Sequence, residues 1–378
     1  MVIITVYELS LIVALVLMLF FAVYFLIAKT LDKPVFGNYN RSRRIIGLAL
    51  LALSANYMVH LFCKPRFSHQ DAAISMNLST YFLTYWLFYS AFMMLLNRLR
   101  ITRRRWVRNI LCWVMFTVMS VAMVMLLPEG AVRHAGLLAM ALLLIGYGIH
   151  LSMQVIRTYR RNVRLFDETH SENIAAYIRW MSIFTYWALG FGVGCGFLTF
   201  LPERWCFLWI LSSIPFYIYL YCSYMNYMLF YEQVESILED VAPESAYDLV
   251  ESECAEEMPQ NNPAYYSAIG EHISEWISNS GYVRQGLTIE DVANALSTNR
   301  TYLSSYIKAT YHVSFREWIA DLRIEHAKEK LLHHPDAYRG CRFRGIGVHV
   351  FELFHENIHA KGWQLSFQMA EDVLIFFV

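Results

Sequence analysis

The side chains best suited to binding chemistry lie together near the C-terminal end of the chain, between Arg300 and Lys308. This stretch carries two cationic groups, several short hydroxyls and phenols, which hydrogen-bond to the phosphates and base edges of nucleic acids. Elsewhere we find no nucleophile paired with a base, no phosphate-binding loop and no metal-ligand spacing, and the seven cysteines form no C-x-x-C motif. We therefore expect a binding protein and not an enzyme, with no cofactor and no metal.

Short helices must position these side chains. The apolar residues of Ile289–Leu296 recur at helical spacing, and Thr288 is the expected N-cap of that helix. Ser297–Asn299 then forms a tight polar turn, and Arg300–Thr310 resumes the helical period with Asn299 as its N-cap. Two short helices joined by a three-residue turn predict a helix-turn-helix, whose second helix enters the major groove of DNA.

Two amphipathic helices are predicted to flank this pair, at Ala264–Asn279 and Phe315–His333. Their apolar stripes should pack against the two short helices and close a small core. The residues expected in this core are Ile269, Ile273, Trp276, Ile277, Ile289, Val292, Ala293, Leu296, Leu303, Ile307, Trp318, Ile319, Leu322, Ala327 and Leu331.

The sequence of this region resembles that of a known family. The run ANALSTNRTYLSSYIK, followed by VSFREWIADLRIEHAK, resembles the first helix-turn-helix and linker helix of the AraC family of transcription regulators. The resemblance implies an AraC-type DNA-binding domain over residues 264–338, with Lys308 on a phosphate. It also departs from the family at His312, where Gly is usual; His tolerates the left-handed backbone at some cost. The other DNA contacts implied are Arg300, Thr301, Tyr302, Ser304 and Ser305.

The last forty residues do not continue the resemblance. A second helix-turn-helix should follow Tyr338, but residues 339–378 show no helix pair and end in an apolar tail. Read one base further along, Trp363 with Gln364 must encode glycine, and Met369 with Ala370 must encode tryptophan. Both fall at the spacing of the family's second unit. We therefore hypothesise that 339–378 is a frameshifted remnant of that unit.

The first 230 residues have a different composition. Over the whole chain, 57% of the residues are hydrophobic and 16% are charged. This hydrophobic fraction is larger than the core of a soluble protein requires. Seven apolar segments, each near the ~20 residues that cross a bilayer, predict a seven-span membrane domain over residues 1–230. The spans are placed at Ile3–Ala28, Ile45–Phe62, Leu78–Leu96, Ile110–Leu127, Ala135–Ile156, Met181–Leu201 and Trp205–Leu229.

The connecting loops predict the orientation of these spans. Lys and Arg are abundant in loops one, three and five and sparse in loops two, four and six, and positive charge stays on the cytoplasmic side. The N-terminus is therefore expected outside and the C-terminal domain in the cytoplasm, in the bacterial cytoplasmic (inner) membrane.

Few side chains inside the spans suggest a ligand or transport path. Glu8, His60 and His150 are the main ionisable residues and lie near span ends, which disfavours an ion-coupled transporter. The glycines of Leu189–Phe197 have small-x-x-x-small spacing and predict close helix packing. Tyr81, Tyr85, Trp86 and Tyr89 could either border a pocket or anchor a span at the interface.

A linking stretch rich in Asp and Glu joins the two regions. Residues 231–263 contain ten Asp and Glu and no Lys or Arg. Tyr231–Val241 is expected to extend the seventh helix until Pro243 ends it, and Glu244–Pro263 is expected to be a linker.

Together these features predict an all-α, membrane-bound one-component transcription regulator. Its partners would be double-stranded DNA, the lipid bilayer, an unknown signal ligand and a second copy of itself. Two alternatives stay open: a seven-helix receptor or transporter whose C-terminal module binds a protein, and a decayed regulator without function. Salt-dependent DNA binding separates the first alternative from the prediction.

Overall fold

The structure, a computed structural model, describes residues 2–28, 33–97, 102–198, 200, 205–254 and 263–333. Within these ranges it is built of α-helices with two short 3-10 turns and no strand. The predicted all-α class is confirmed for this part of the chain. The helices, numbered in chain order, are α1 (Val2–Ile27), α2 (Gly37–Phe62), α3 (Pro65–Ser68), α4 (Gln70–Leu96), α5 (Arg103–Leu126), α6 (Ala131–Thr169), α7 (Ala175–Leu198), α8 (Cys206–Cys254), α9 (Pro263–Ser278), α10 (Ile289–Ala295), α11 (Arg300–Tyr311) and α12 (Phe315–His333).

Two compact units divide the chain. The first comprises Met1–Asn162 and Ala176–Leu249, and the second comprises Val163–Ala175 and Val250–Val378. The second unit thus takes in a short segment, Val163–Ala175, that the sequence analysis placed with the membrane domain.

Five described helices are long and apolar enough to cross a membrane. They cover Val6–Ile27, Pro34–Phe62, Arg103–Leu126, Ala131–Thr169 and Cys206–Glu235. Each overlaps one of the predicted spans. The remaining two predicted spans coincide with α4 and α7, which are 27 and 24 residues long, so the count of seven stays a prediction.

Buried polar side chains tie the helices of the first unit together. Tyr39 and Tyr224 each donate a phenol hydrogen bond to the other's backbone carbonyl, at 3.2 Å, which joins α2 to α8. Ser42 of α2 donates to the carbonyl of Ala91 in α4 at 2.8 Å. Such bonds hold helices together where lipid tails offer no hydrophobic driving force between them.

Large apolar side chains cover the outside of this unit. They include Leu9 and Val16 of α1 and Met115, Val118 and Leu126 of α5, each more than half exposed. A soluble monomer rarely exposes so much apolar surface. This surface is compatible with contact to lipid.

The ionisable residues within the predicted spans all have polar neighbours. Glu8 forms an ion pair with Lys64. His60 Nε2 lies 2.8 Å from Asn77 Oδ1, and His150 Nε2 lies 2.6 Å from Gln154 Nε2.

The glycine-rich stretch of α7 packs closely against another helix at Gly192 but not at Gly190. Gly190 has no atom within 4 Å of where a Cβ would lie, so it does not mark a close helix contact. At Gly192 the added Cβ would lie 2.8 Å from the phenol oxygen of Tyr85. The missing side chain at Gly192 therefore makes room for the ring of Tyr85 in α4.

The predicted end of the seventh helix at Pro243 is wrong. The helix α8 runs through this proline to Cys254. Proline removes one backbone N–H and usually kinks a helix. Its own φ is compatible with a helix, so the helical residues on both sides can continue through it. The linker predicted over 244–263 is thus helical in its first half, and residues 255–262 lie outside the described ranges.

Candidate nucleic-acid interface

The first helix of the predicted pair, α10, begins at a capping box. Thr288 Oγ1 accepts from the backbone N–H of Asp291 at 3.1 Å, and Asp291 Oδ2 accepts from the backbone N–H of Thr288 at 3.2 Å. Two N–H groups that the helix cannot satisfy itself are thus satisfied. The backbone hydrogen bond from Thr288, and then its side-chain bond, lower the pKa of the Asp291 carboxyl.

A tight turn reverses the chain between α10 and α11. Ser297 adopts a left-handed backbone with φ of 54°, and the N–H of Thr298 donates to the Ala293 carbonyl at 2.9 Å. Asn299 Oδ1 then accepts from the N–H of Tyr302 at 2.9 Å and caps α11. The predicted turn and both predicted N-caps, Thr288 and Asn299, are confirmed.

A single apolar core holds the four helices α9 to α12 in place. Leu303 and Ile307 of α11 are fully buried, against Val292 of α10 and Ile319 of α12. The indoles of Trp276 and Trp318 stack with centroids 5.8 Å apart. All predicted core positions are buried or packed against this core, except Leu331, whose side chain lies outside the described set. The members are Ile269, Ile273, Trp276, Ile277, Ile289, Val292, Ala293, Leu296, Leu303, Ile307, Trp318, Ile319, Leu322 and Ala327.

The face of α11 opposite this core carries the candidate DNA contacts. Thr301, Tyr302 and Lys308 are exposed, whereas Arg300, Ser304 and Ser305 are partly buried. Positions 301, 304, 305 and 308 repeat at helical spacing, so their side chains share one face. The structure thus places Thr301, Ser304, Ser305 and Lys308 on one face of α11, with Arg300 partly buried at the start of the helix and Tyr302 exposed beside that face.

His312 closes α11 in the left-handed conformation expected from its place after the helix. Its φ is 58° and its ψ is 27°. A left-handed residue after the last turn is a common way to end a helix, and Gly adopts it at the lowest cost. The predicted conformation of His312 is confirmed.

A second stretch rich in carboxylates, far from this site in the sequence, contacts α11 and its neighbours. Within the second unit, Glu168 Oε1 accepts from Lys308 Nζ at 2.8 Å. Asp167 Oδ1 accepts from Arg316 at 3.2 Å, and Glu172 Oε1 accepts from the N–H of Gly286 at 3.0 Å. We call Val163–Ala175 the acidic segment.

Backbone contacts hold the acidic segment beside the start of α10. The N–H of Ser171 donates to the carbonyl of Leu287 at 3.0 Å, and His170 forms an isolated antiparallel bridge with Thr288. A carboxylate on Lys308 occupies the position that a DNA phosphate would take on the same ammonium group. Glu168 therefore competes with any anion that would bind Lys308.

Other cations of the module have structural partners. Arg323 is buried and donates to the carbonyls of Tyr282 and Arg284, at 2.8 and 2.7 Å. Lys328 pairs with Glu325 one turn earlier on α12.

His333 is the last residue of α12, whereas His326 lies inside that helix. His326 lies two turns before the end of α12, and its Nδ1 is 3.1 Å from the phenol oxygen of Tyr282. His334 lies outside the described residues, as does the whole hypothesised remnant 339–378. Among the residues that the structure describes, no three His, Cys, Asp or Glu side chains are placed to share a metal ion.

The sequence contained one overlooked signal and lacked another. The spacing T-x-x-D at Thr288 is a capping-box pattern and could have predicted the role of Asp291. Nothing in the sequence around Asp167 and Glu168 indicates that they contact residues 140 or more positions later.

Comparison with protein-family models, with curated proteins and with solved structures finds no match for this chain.

Proposed function

We propose that the chain is a membrane-bound, one-component transcription regulator that binds double-stranded DNA through α11. Its first unit would lie in the bacterial cytoplasmic membrane with the N-terminus outside, and its second unit would lie in the cytoplasm. A signal received by the membrane helices would change their packing or self-association and so alter the pairing of two DNA-binding modules on a promoter.

The observation that carries the proposal is the geometry of α10 and α11. Two short capped helices joined by a tight turn are held by one core, and the second presents hydroxyl and cationic side chains on its outer face. This is the arrangement with which helix-turn-helix proteins enter the major groove. Arg300 is the first residue of α11, and Lys308 lies about two turns later on its outer face.

The membrane assignment is supported by five helices of sufficient length and apolarity. The proposed orientation rests on the loops, because their Lys and Arg are concentrated in loops one, three and five. A cytoplasmic second unit is also the only location from which a chromosomal promoter can be reached.

Selection of a binding sequence tests the proposal directly. The full chain, purified in detergent, is incubated with a library of random DNA duplexes, and the retained duplexes are sequenced. We expect a common motif whose affinity falls linearly with the logarithm of the salt concentration. Arg300→Ala should relax the preference at particular base positions, whereas Lys308→Ala should weaken all sequences alike.

A matched control is Ser278→Ala, which removes an exposed hydroxyl from α9 of the same module. It should leave both the motif and the affinity unchanged. Absence of any enriched motif and of DNA retention at low salt would contradict the proposal. That result would favour a receptor whose C-terminal module binds a protein.

A further inference from the structure

An apolar cavity lies among α2, α4, α6, α7 and α8 of the first unit. Its volume is about 110 Å³. Aromatic rings form much of its wall, including Tyr85, Phe88, Phe184, Trp209 and Phe216. No Asp, Glu, Lys or Arg is among the described residues that line it.

The size of this cavity limits what can enter. A dry cavity of about 150 Å³ in another protein binds benzene, so about 110 Å³ suits a body of roughly one ring. Aromatic walls favour a flat ring that packs edge-on or offset against them. Two glycines of the wall make room for Tyr85, because a Cβ at Gly148 would lie 3.0 Å from its ring and a Cβ at Gly192 would lie 2.8 Å from its phenol oxygen.

A second, smaller cavity adjoins the first, and its wall includes several polar side chains. Its volume is about 40 Å³, and three residues line both cavities: Tyr57, Tyr81 and Trp209. The wall of the smaller cavity contains the buried cationic side chain of Arg66 and the buried imidazole of His60. Forty cubic ångströms can hold a few water molecules or one small polar group.

The polar side chains of the second cavity are ordered by one another. Asn77 Oδ1 lies 3.1 Å from Asn56 Nδ2 and 2.8 Å from His60 Nε2. The other ring nitrogen of His60, Nδ1, is buried and has no hydrogen-bond partner among the described residues. An unsatisfied buried polar atom is costly, so a ligand group that bonds to it is favoured.

From these observations we propose that the two cavities form one binding site for a small apolar monocarboxylate, with its carboxyl group at Arg66 and His60. A guanidinium binds a carboxylate through charge-assisted hydrogen bonds, often two in parallel. A carboxyl group also suits His60 Nδ1 in either state, because the acid and the imidazole can share one proton. The apolar body then occupies the aromatic cavity.

This site would receive the signal in the proposed function, and to that extent it rests on that function. Its test does not, because ligand binding is measured without DNA. Failure to bind carboxylates would leave DNA binding by α11 unaffected. Failure to bind DNA would leave the result for the cavity unaffected.

The experiment measures equilibrium binding of three probes to the purified full chain in detergent. Phenylacetate is the test ligand, 2-phenylethanol is its uncharged counterpart, and octanoate is a monocarboxylate without a ring. We expect saturable binding of phenylacetate, and binding of 2-phenylethanol weaker by on the order of tenfold or more. Equal affinity for the two phenyl compounds, or no binding of either carboxylate, would overturn the proposal.

Variants locate the site. Arg66→Gln should weaken phenylacetate by on the order of tenfold or more and leave 2-phenylethanol unchanged, whereas the exposed Arg44→Gln should alter neither. Because Arg66→Gln could fail to fold, Asn77→Asp provides a second variant. It keeps the acceptor oxygen used by Asn56 and His60, and its added negative charge should repel the carboxylate. Wild-type affinity in both folded variants would overturn the assignment.

Discussion

Under the proposed function, the contact between Lys308 and Glu168 predicts that the wild-type chain binds DNA more weakly than α11 would without this contact. The Nζ–Oε1 distance is 2.8 Å, and the two side chains are 52% and 42% exposed. Exposed pairs of this kind contribute about 0.2–1 kcal/mol. Glu168→Gln should therefore tighten DNA binding by about 1.4- to 5-fold, because a phosphate no longer has to displace a carboxylate.

Salt dependence gives a second, independent measure of the same change. If Lys308 becomes free to meet a phosphate, the slope of log affinity against log salt should become steeper by about 0.9. The assay is fluorescence anisotropy of a labelled duplex carrying the selected motif, titrated with the full chain at several KCl concentrations.

The matched control is Glu325→Gln, which also removes one carboxylate from a lysine ion pair, in this case with Lys328 at 2.7 Å. It changes the net charge by the same amount but frees no group on α11. An equal gain in both variants would show that net charge alone is responsible. No change in affinity or slope for Glu168→Gln would refute the competition.

Three further predictions concern the module's stability, each measured as protease resistance of the second unit during heating, with Ser278→Ala as control. Asn299→Ala removes the side-chain cap of α11 and should lower the unfolding free energy by about 1 kcal/mol. Gly281→Ala places a Cβ in steric conflict with Trp276 Nε1 and should cost about 1–3 kcal/mol as the indole shifts. The folded-state pKa of Asp291 is lowered, so its contribution is present above the unfolded pKa of about 3.9 and is lost as pH falls through the folded pKa. Asp291→Ala should therefore reduce stability at neutral pH and make the loss on acidification smaller.

The local structure of the module could be predicted because its signals are local. Thr288, Asn299 and the apolar periodicity of α10 and α11 act over a few residues, and the helix bounds follow from them. His312 could be predicted because the left-handed conformation depends on one residue's backbone. The same reasoning failed at Pro243, where a local breaker was outweighed by helical residues on both sides.

Contacts across long separations could not be predicted in this way. The acidic segment meets Lys308 and Arg316 over separations of 140 and 149 residues, and no periodicity encodes that pairing. The two cavities likewise depend on which faces of five helices meet. The aromatic residues of α4 were noted in the sequence, but whether they lined a cavity or an interface depended on the packing of α6 and α7.

Under the proposed function, the cation count of residues 284–334 predicts that two copies of the module act together on DNA. Residues 284–334 contain seven Lys and Arg against six Asp and Glu. Lys308, Arg316 and Lys328 pair with carboxylates, and Arg323 is bonded to backbone carbonyls. Few cations are then available for phosphates. Each phosphate contact steepens the fall of log affinity with log salt concentration by about 0.9, so few contacts give a weak electrostatic contribution. A single module should therefore bind weakly, whereas two modules brought together gain through their effective concentration. A signal that changes self-association of the membrane helices would thus control DNA occupancy without changing α11 itself.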